Sequence, residues 1–127
     1  MAKQISILLI SLSLLIFGGI WELKHLERTA YYLMGDVDSV RNAIENDNFD
    51  LAESNLKNLE NTWENMEFTW NIFVNHERID RLEDDINDVR SYIEAKDKEE
   101  AIKSTKTLNK TISEIIDKQK FTFEHVI

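Results

Sequence analysis

IENDNFDLA, residues 44–52, returns 49 positions later as IEAKDKEEA, residues 93–101. In the first copy, Asn46-Asp47-Asn48 is a run that favours turns and caps over helix interior. In the second, Asp97 reads as a cap, with Glu99 and Glu100 in the first turn, where the helix dipole favours acids. The same shift pairs Leu33 with Leu82, Asp36 with Asp85, Val37 with Ile86, Val40 with Val89 and Arg41 with Arg90. It continues through Ile44 and Ile93, Glu45 and Glu94, Ala52 and Ala101, and Leu59 and Leu108. Each half reads as helix, short turn, helix. Two origins fit: duplication of one hairpin, or two amphipathic hairpins alike by pattern. A core requires neither the Arg41–Arg90 nor the Glu45–Glu94 match, and that is the argument for duplication.

Outward from the turns, the apolar positions keep helical spacing. Leu33, Val37, Val40 and Ile44 advance by four, three and four, which places one stripe on one helix face. The next helix carries a heptad-type seam of Ala52, Leu56, Leu59, Trp63, Met66, Trp70 and Phe73. A break near Val74 to His76 follows, then Ile79, Leu82, Ile86, Val89 and Ile93. The last helix uses Ala101, Thr105, Leu108, Ile112 and Ile115 or Ile116. No proline occurs, and Gly35 is the only glycine after Trp21, so nothing local interrupts long helices. The expected fold class is all-α: two helical hairpins closing into an antiparallel four-helix bundle. A tetratricopeptide-type solenoid fits less well, because the period is too long and two units make a poor stack.

The N-terminal stretch Ile5 to Trp21, ISILLISLSLLIFGGIW, carries no charge. A bilayer core needs roughly 20 apolar residues, with about 17 as the lower limit, and this stretch sits at that limit. A cleaved signal needs small residues last and third from last before the cut. With Gly19 last, Phe17 occupies the other position, and no A-x-A pattern follows. The chain has no cysteine to take a lipid. The expectation is therefore a retained signal-anchor over residues 1–21, an acidic helical bundle over 22–120 and a tail over 121–127. No flexible linker separates Trp21 from Leu33, so the anchor continues as the first bundle helix. Lys3 and the terminal amine favour a cytoplasmic N-terminus, whereas Lys24 and Arg28 oppose it. The very short N-terminal flank decides for N-terminus inside and bundle outside the cytoplasmic membrane, single-pass. Trp21 falls at the outer boundary, where an indole is at home in the interface. The tail FTFEHVI alternates Phe121 and Phe123 with polar residues, like a short strand, and is expected to fold over the bundle or to add to a partner.

Beyond the anchor, 14 basic residues face 24 acidic ones, a formal charge of −10. That excludes nucleic acid as a natural partner and disfavours lying flat on anionic lipid. Without cysteine there is no disulfide, zinc–thiolate site or thiol nucleophile.

Few residues suggest chemistry. Glu22 and His25 have the spacing of half a di-iron site, but such a site needs a second motif and two further carboxylates. His76 and Asp80 share one helix face, but a tight metal site needs three or four ligands. The run Glu83-Asp84-Asp85 reads as a solvated face, since calcium loops need a glycine and loop spacing. No catalytic residue, cofactor site or metal site is assigned. The candidate interaction or pocket residues are Trp63, Phe68, Trp70, Ile72, His76, Phe121 and Phe123. Trp63 and Trp70 lie on the core seam, and Phe68 and Ile72 form a second apolar edge off it.

The span ending in IWELKHL, the turn NDNFDLAESNL, the aromatic stretch NTWENMEFTWNIFVNHERID and the segment RSYIEAKDKEEA resemble one family. It comprises small membrane-anchored proteins of Gram-positive bacteria, known as domain of unknown function number 4363. The resemblance implies a single-pass helical protein with no known catalytic residues. It further implies a multi-pass membrane protein as partner, by association. The reading is a non-enzymatic accessory protein, held in membrane lipid by residues 5–21 and docking on an integral-membrane partner at the extracytoplasmic face. The alternative is an extracytoplasmic sensory or small-ligand-binding bundle with its pocket near Trp63, Trp70 and His76. A homo-oligomer is left open.

Overall fold

The computed structural model describes residues 1–126, with side chains as far as Thr122. Helix α1 spans Ala2–Glu45, α2 Phe49–Phe73, α3 His76–Glu94 and α4 Lys98–Val126. Each helix packs on its sequence neighbour, and α4 returns to α1, with no diagonal pairing among the described residues. The result is an antiparallel four-helix bundle from which the N-terminal half of α1 projects. The α2–α3 seam is the slackest of the four.

The two turns explain why the chain reverses where it does. Helix α1 ends in a Schellman arrangement: Asn48 N–H reaches Ala43 C=O at 2.9 Å and Asp47 N–H reaches Ile44 C=O at 3.0 Å. Helix α3 ends the same way, with Asp97 N–H on Tyr92 C=O and Lys96 N–H on Ile93 C=O, both at 3.0 Å. Each motif needs one left-handed residue, and Asp47 (φ 58°) and Lys96 (φ 54°) supply it without glycine. The next residue then caps the following helix. Asn48 Oδ1 accepts from Leu51 N–H at 3.1 Å, and Asp97 Oδ1 accepts from Glu100 N–H at 3.2 Å. Every one of these bonds recurs at a shift of 49.

So does a polar pair on each hairpin. Thr62 Oγ1 donates to Asp36 Oδ2 at 2.6 Å, and Thr111 Oγ1 donates to Asp85 Oδ2 at 2.5 Å. A shared amphipathic pattern does not dictate matched donors and acceptors on the flanks of two hairpins. The bundle is built from two equivalent units.

The core follows the stripes. Leu33, Val37, Val40, Ile44, Leu59, Trp70, Leu82, Val89, Leu108 and Ile112 are fully enclosed. Thr105 sits among them with its hydroxyl used twice, donating to Ile102 C=O at 2.6 Å and accepting from Arg41 Nε at 3.1 Å.

Two expectations are corrected. Phe73 leaves the seam: it is 41% exposed, because α2 ends there. The extended residue Val74 (φ −109°, ψ 142°) turns inward and is buried instead. The expected strand-like tail is also absent, since residues 121–126 continue α4. Without proline or glycine, the helix adds a backbone hydrogen bond per residue, whereas a lone strand adds none.

Candidate functional site

Equivalence between the hairpins fails at one end of the bundle, the end from which the apolar half of α1 emerges. There Trp63 and Trp70 stand where the second hairpin has Ile112 and Gln119. The two indoles meet edge to face, centroids 5.8 Å apart at 86°. Trp70 is fully buried and donates Nε1–H to Thr29 Oγ1 at 2.9 Å, while Thr29 donates to the His25 and Leu26 carbonyls of its own helix. Gln119 Nε2 donates to Phe73 C=O at 2.7 Å and joins α4 to the close of α2. Lys120 and Glu27 form an ion pair between α4 and α1. A hydrogen bond to Glu27 and the Glu27 charge push the Lys120 ammonium up from its ordinary range.

The seven candidate residues are not brought together. Trp63 and Trp70 belong to the core. Phe68 (77% exposed) and Ile72 (60%) lie one turn apart on the outer face of α2, and Phe121 is 61% exposed on α4. His76 is exposed at the head of α3. The side chain of Phe123 lies outside the described residues. His25 stacks on Trp21, centroids 5.7 Å apart and planes within 11°. Among the described residues no three His, Asp or Glu side chains converge in a way that could hold a metal ion.

Two of the hollows at this end bear on function. The larger, about 570 Å³, is an apolar groove along α1 between Leu14 and Leu26, closed by Phe73, Gln119 and Thr122 beneath the bundle. Glu22 lines it, and its Oε2 is shielded from water with no hydrogen-bond partner among the described residues. The second, about 370 Å³, is a polar groove between α1 and α2, lined by His25, Thr29, Tyr32, Asp36, Thr62 and Asn65, among others.

The acidic run is not uniformly solvated, which corrects the expectation for it. Asp84 is exposed, but Asp85 is half-buried against Thr111, and Glu83 is half-buried on the slack α2–α3 seam. Burial pushes the Glu83 carboxyl up. A hydrogen bond to Glu67 and its charge add to the rise, while a hydrogen bond with Trp63 opposes it. Burial likewise raises Asp85, against the Thr111 hydroxyl.

The family model described as a domain of unknown function (DUF4363) matches residues 20–126. The chain belongs to this family. No curated protein and no solved structure matches it. The DUF4363 match takes in the whole bundle and begins within the apolar groove, so Trp21 and Glu22 fall inside it and Leu14 to Gly19 outside. Sequence reasoning missed Glu22 as a groove residue in this DUF4363 chain. The available signal was its place in the row Leu14, Gly18, Glu22, Leu26, one residue per turn on one helix face. Glu83 was missed because its partner Glu67 lies on another helix. α1 is long and apolar enough to cross a membrane.

Proposed function

We propose that this DUF4363 chain is a non-enzymatic accessory protein, anchored in the cytoplasmic membrane by residues 5–21, that docks on an integral-membrane partner at the extracytoplasmic face. The observation that carries the reading is one of placement. An apolar segment and the bundle share one uninterrupted helix, and unburied apolar groups gather where they meet. Trp21, Phe68, Ile72, Phe73 and Phe121 are all exposed at or toward that end. A soluble protein leaves such groups scattered; clustering beside a span-length helix suits a surface covered by a partner or by lipid. A continuous helix also holds the bundle at a fixed height and angle. Lys3 ahead of the apolar stretch supports the N-terminus inside and the bundle outside.

Affinity purification of the full chain from its native membrane in mild detergent tests the reading. A stoichiometric integral-membrane partner is expected. Recovery of the chain alone, or of its homo-oligomer only, overturns it.

The polar groove between α1 and α2 supports a second reading, an extracytoplasmic sensory or small-ligand-binding bundle. Its His25, Tyr32, Asp36 and Asn65 offer donors and acceptors in a cleft of about 370 Å³, within the size range of small-molecule sites. Co-purification of a stoichiometric small molecule, lost on Asp36→Ala, would favour this reading over the first.

A further inference from the structure

The apolar groove has the shape of a helix seat. Leu14, Gly18, Glu22 and Leu26 form one row along α1, each a turn from the next, and Leu15, Gly19 and Leu23 form the adjacent row. The furrow between two such rows is where a ridge of another helix packs. A Cβ built on Gly18 meets nothing within 4 Å, so within this chain the glycine leaves space that its own fold does not use. Small residues at such positions let helix backbones approach closely in lipid. Phe73, Gln119 and Thr122 close the groove where the bundle begins.

Glu22 supplies the chemistry. It lies at the boundary where the apolar segment gives way to charged sequence, and no group among the described residues pairs with its shielded Oε2. A carboxylate in that setting favours a cation brought from outside. A second copy of this chain in the same furrow would bring another Glu22 toward the first, a like-charge contact, so charge disfavours self-association there.

We propose that this groove seats a transmembrane helix of the partner protein, and that this helix presents a lysine or arginine to Glu22. The proposal rests on the accessory-subunit reading and names its contact surface.

The experiment uses the full chain in its native membrane with a photo-reactive residue replacing Leu15, which is 74% exposed. Cross-linking to an integral-membrane protein is expected. Gly18→Leu, which fills the furrow, and Glu22→Gln, which removes the charge, should each lower that cross-link roughly tenfold, the scale of one interhelical polar contact. Thermal unfolding of both variants should match that of the parent, so the loss is one of docking. Glu22→Asp, which keeps the charge, should retain most of the cross-link. If the partner co-purifies but neither substitution lowers the cross-link, the groove proposal fails and the accessory reading survives. If no partner is recovered with the parent chain, both fail. Cross-linking to phospholipid only, or to a second copy of the chain, also overturns the proposal.

Discussion

Trp70 gives its indole N–H to the hydroxyl of Thr29 at 2.9 Å, inside a core where the ring itself is fully enclosed. This one bond fixes the close of α2 against α1 at the level where the apolar segment enters the bundle. A buried indole donor without an acceptor costs about 1–3 kcal/mol. Thr29→Val keeps the shape and removes the acceptor, so it should lower stability by about that amount in urea unfolding of the detergent-solubilised chain. Thr29→Ser keeps the acceptor and should stay within about 1 kcal/mol of the parent. Equal losses for the two would mean that shape rather than the hydrogen bond matters there.

The turns carry a different kind of energy. Lys96 holds φ at 54°, in the region where a side chain costs roughly 1–2 kcal/mol relative to glycine. Lys96→Gly relieves that cost at the price of a looser unfolded chain, so a net gain of up to about 1 kcal/mol is expected. Its equivalent Asp47 should respond less, since aspartate tolerates the left-handed region better. A thermal melt that falls for Lys96→Gly would contradict the Schellman geometry assigned to that turn.

These turns were also the most legible part of the chain. Asn48 and Asp97 are placed by local chemistry, a short acceptor three residues before an otherwise unpaired N–H, and local chemistry can be read from a string. The stripes from Leu33 to Ile44 and from Ile79 to Ile93 were legible for the same reason, because helical period alone puts them on one face. Phe73 was misread because period continues past a helix end that only the tertiary fold sets. The Phe121–Phe123 alternation resembled a strand because two residues cannot distinguish alternation from a helix edge. The candidate site was legible in part. Trp63 and Trp70 were legible as core from their place on the heptad seam, but the acceptor that holds the Trp70 indole is Thr29, 41 residues upstream, and no local pattern points to it. Glu67 and Glu83 meet across two helices, and no local pattern pairs them.

Burial raises the Glu83 carboxyl above its ordinary value of 4.5, with Glu67 adding to the rise. Below pH 4.5 both the folded and the unfolded chain hold the proton, and the contribution to stability is full. As pH rises through the raised folded value, the folded state must give up a proton it binds more tightly, and that stability is lost. Glu83→Gln keeps the hydrogen-bonding shape without the charge. It should be more stable than the parent at pH 7, by less than about 1 kcal/mol given partial exposure. The advantage should vanish below about pH 4.5, where the parent carboxyl is neutral as well. A gain that is the same at pH 4 and pH 7 would show that the half-buried Glu83 charge is not its source.

Phe68 and Ile72 contribute little to the fold, since 77% and 60% of their surfaces stay exposed. Phe68→Ser and Ile72→Ser should each change stability by no more than about 0.5 kcal/mol. The same substitutions should weaken recovery of a membrane partner if this edge of α2 is part of the docking surface. A loss of stability well beyond that limit would move both residues from surface to core.

The proposed orientation rests on a narrow charge argument, which makes it worth a direct measurement. Lys3 and the terminal amine precede the apolar stretch, and Lys24 and Arg28 follow it, so the positive-inside bias is nearly even. The proposed orientation keeps Lys3 in the cytoplasm and passes the bundle across. The chain has no cysteine, so a single one is an unambiguous reporter. Ser54 is exposed on α2 in the half of the bundle away from the apolar segment, and replacing it touches no core contact. In intact cells, Ser54→Cys should react with a membrane-impermeant maleimide without permeabilisation. Labelling only after the membrane is opened would place the bundle in the cytoplasm. The groove beside Glu22 would then meet its partner at the inner boundary of the bilayer.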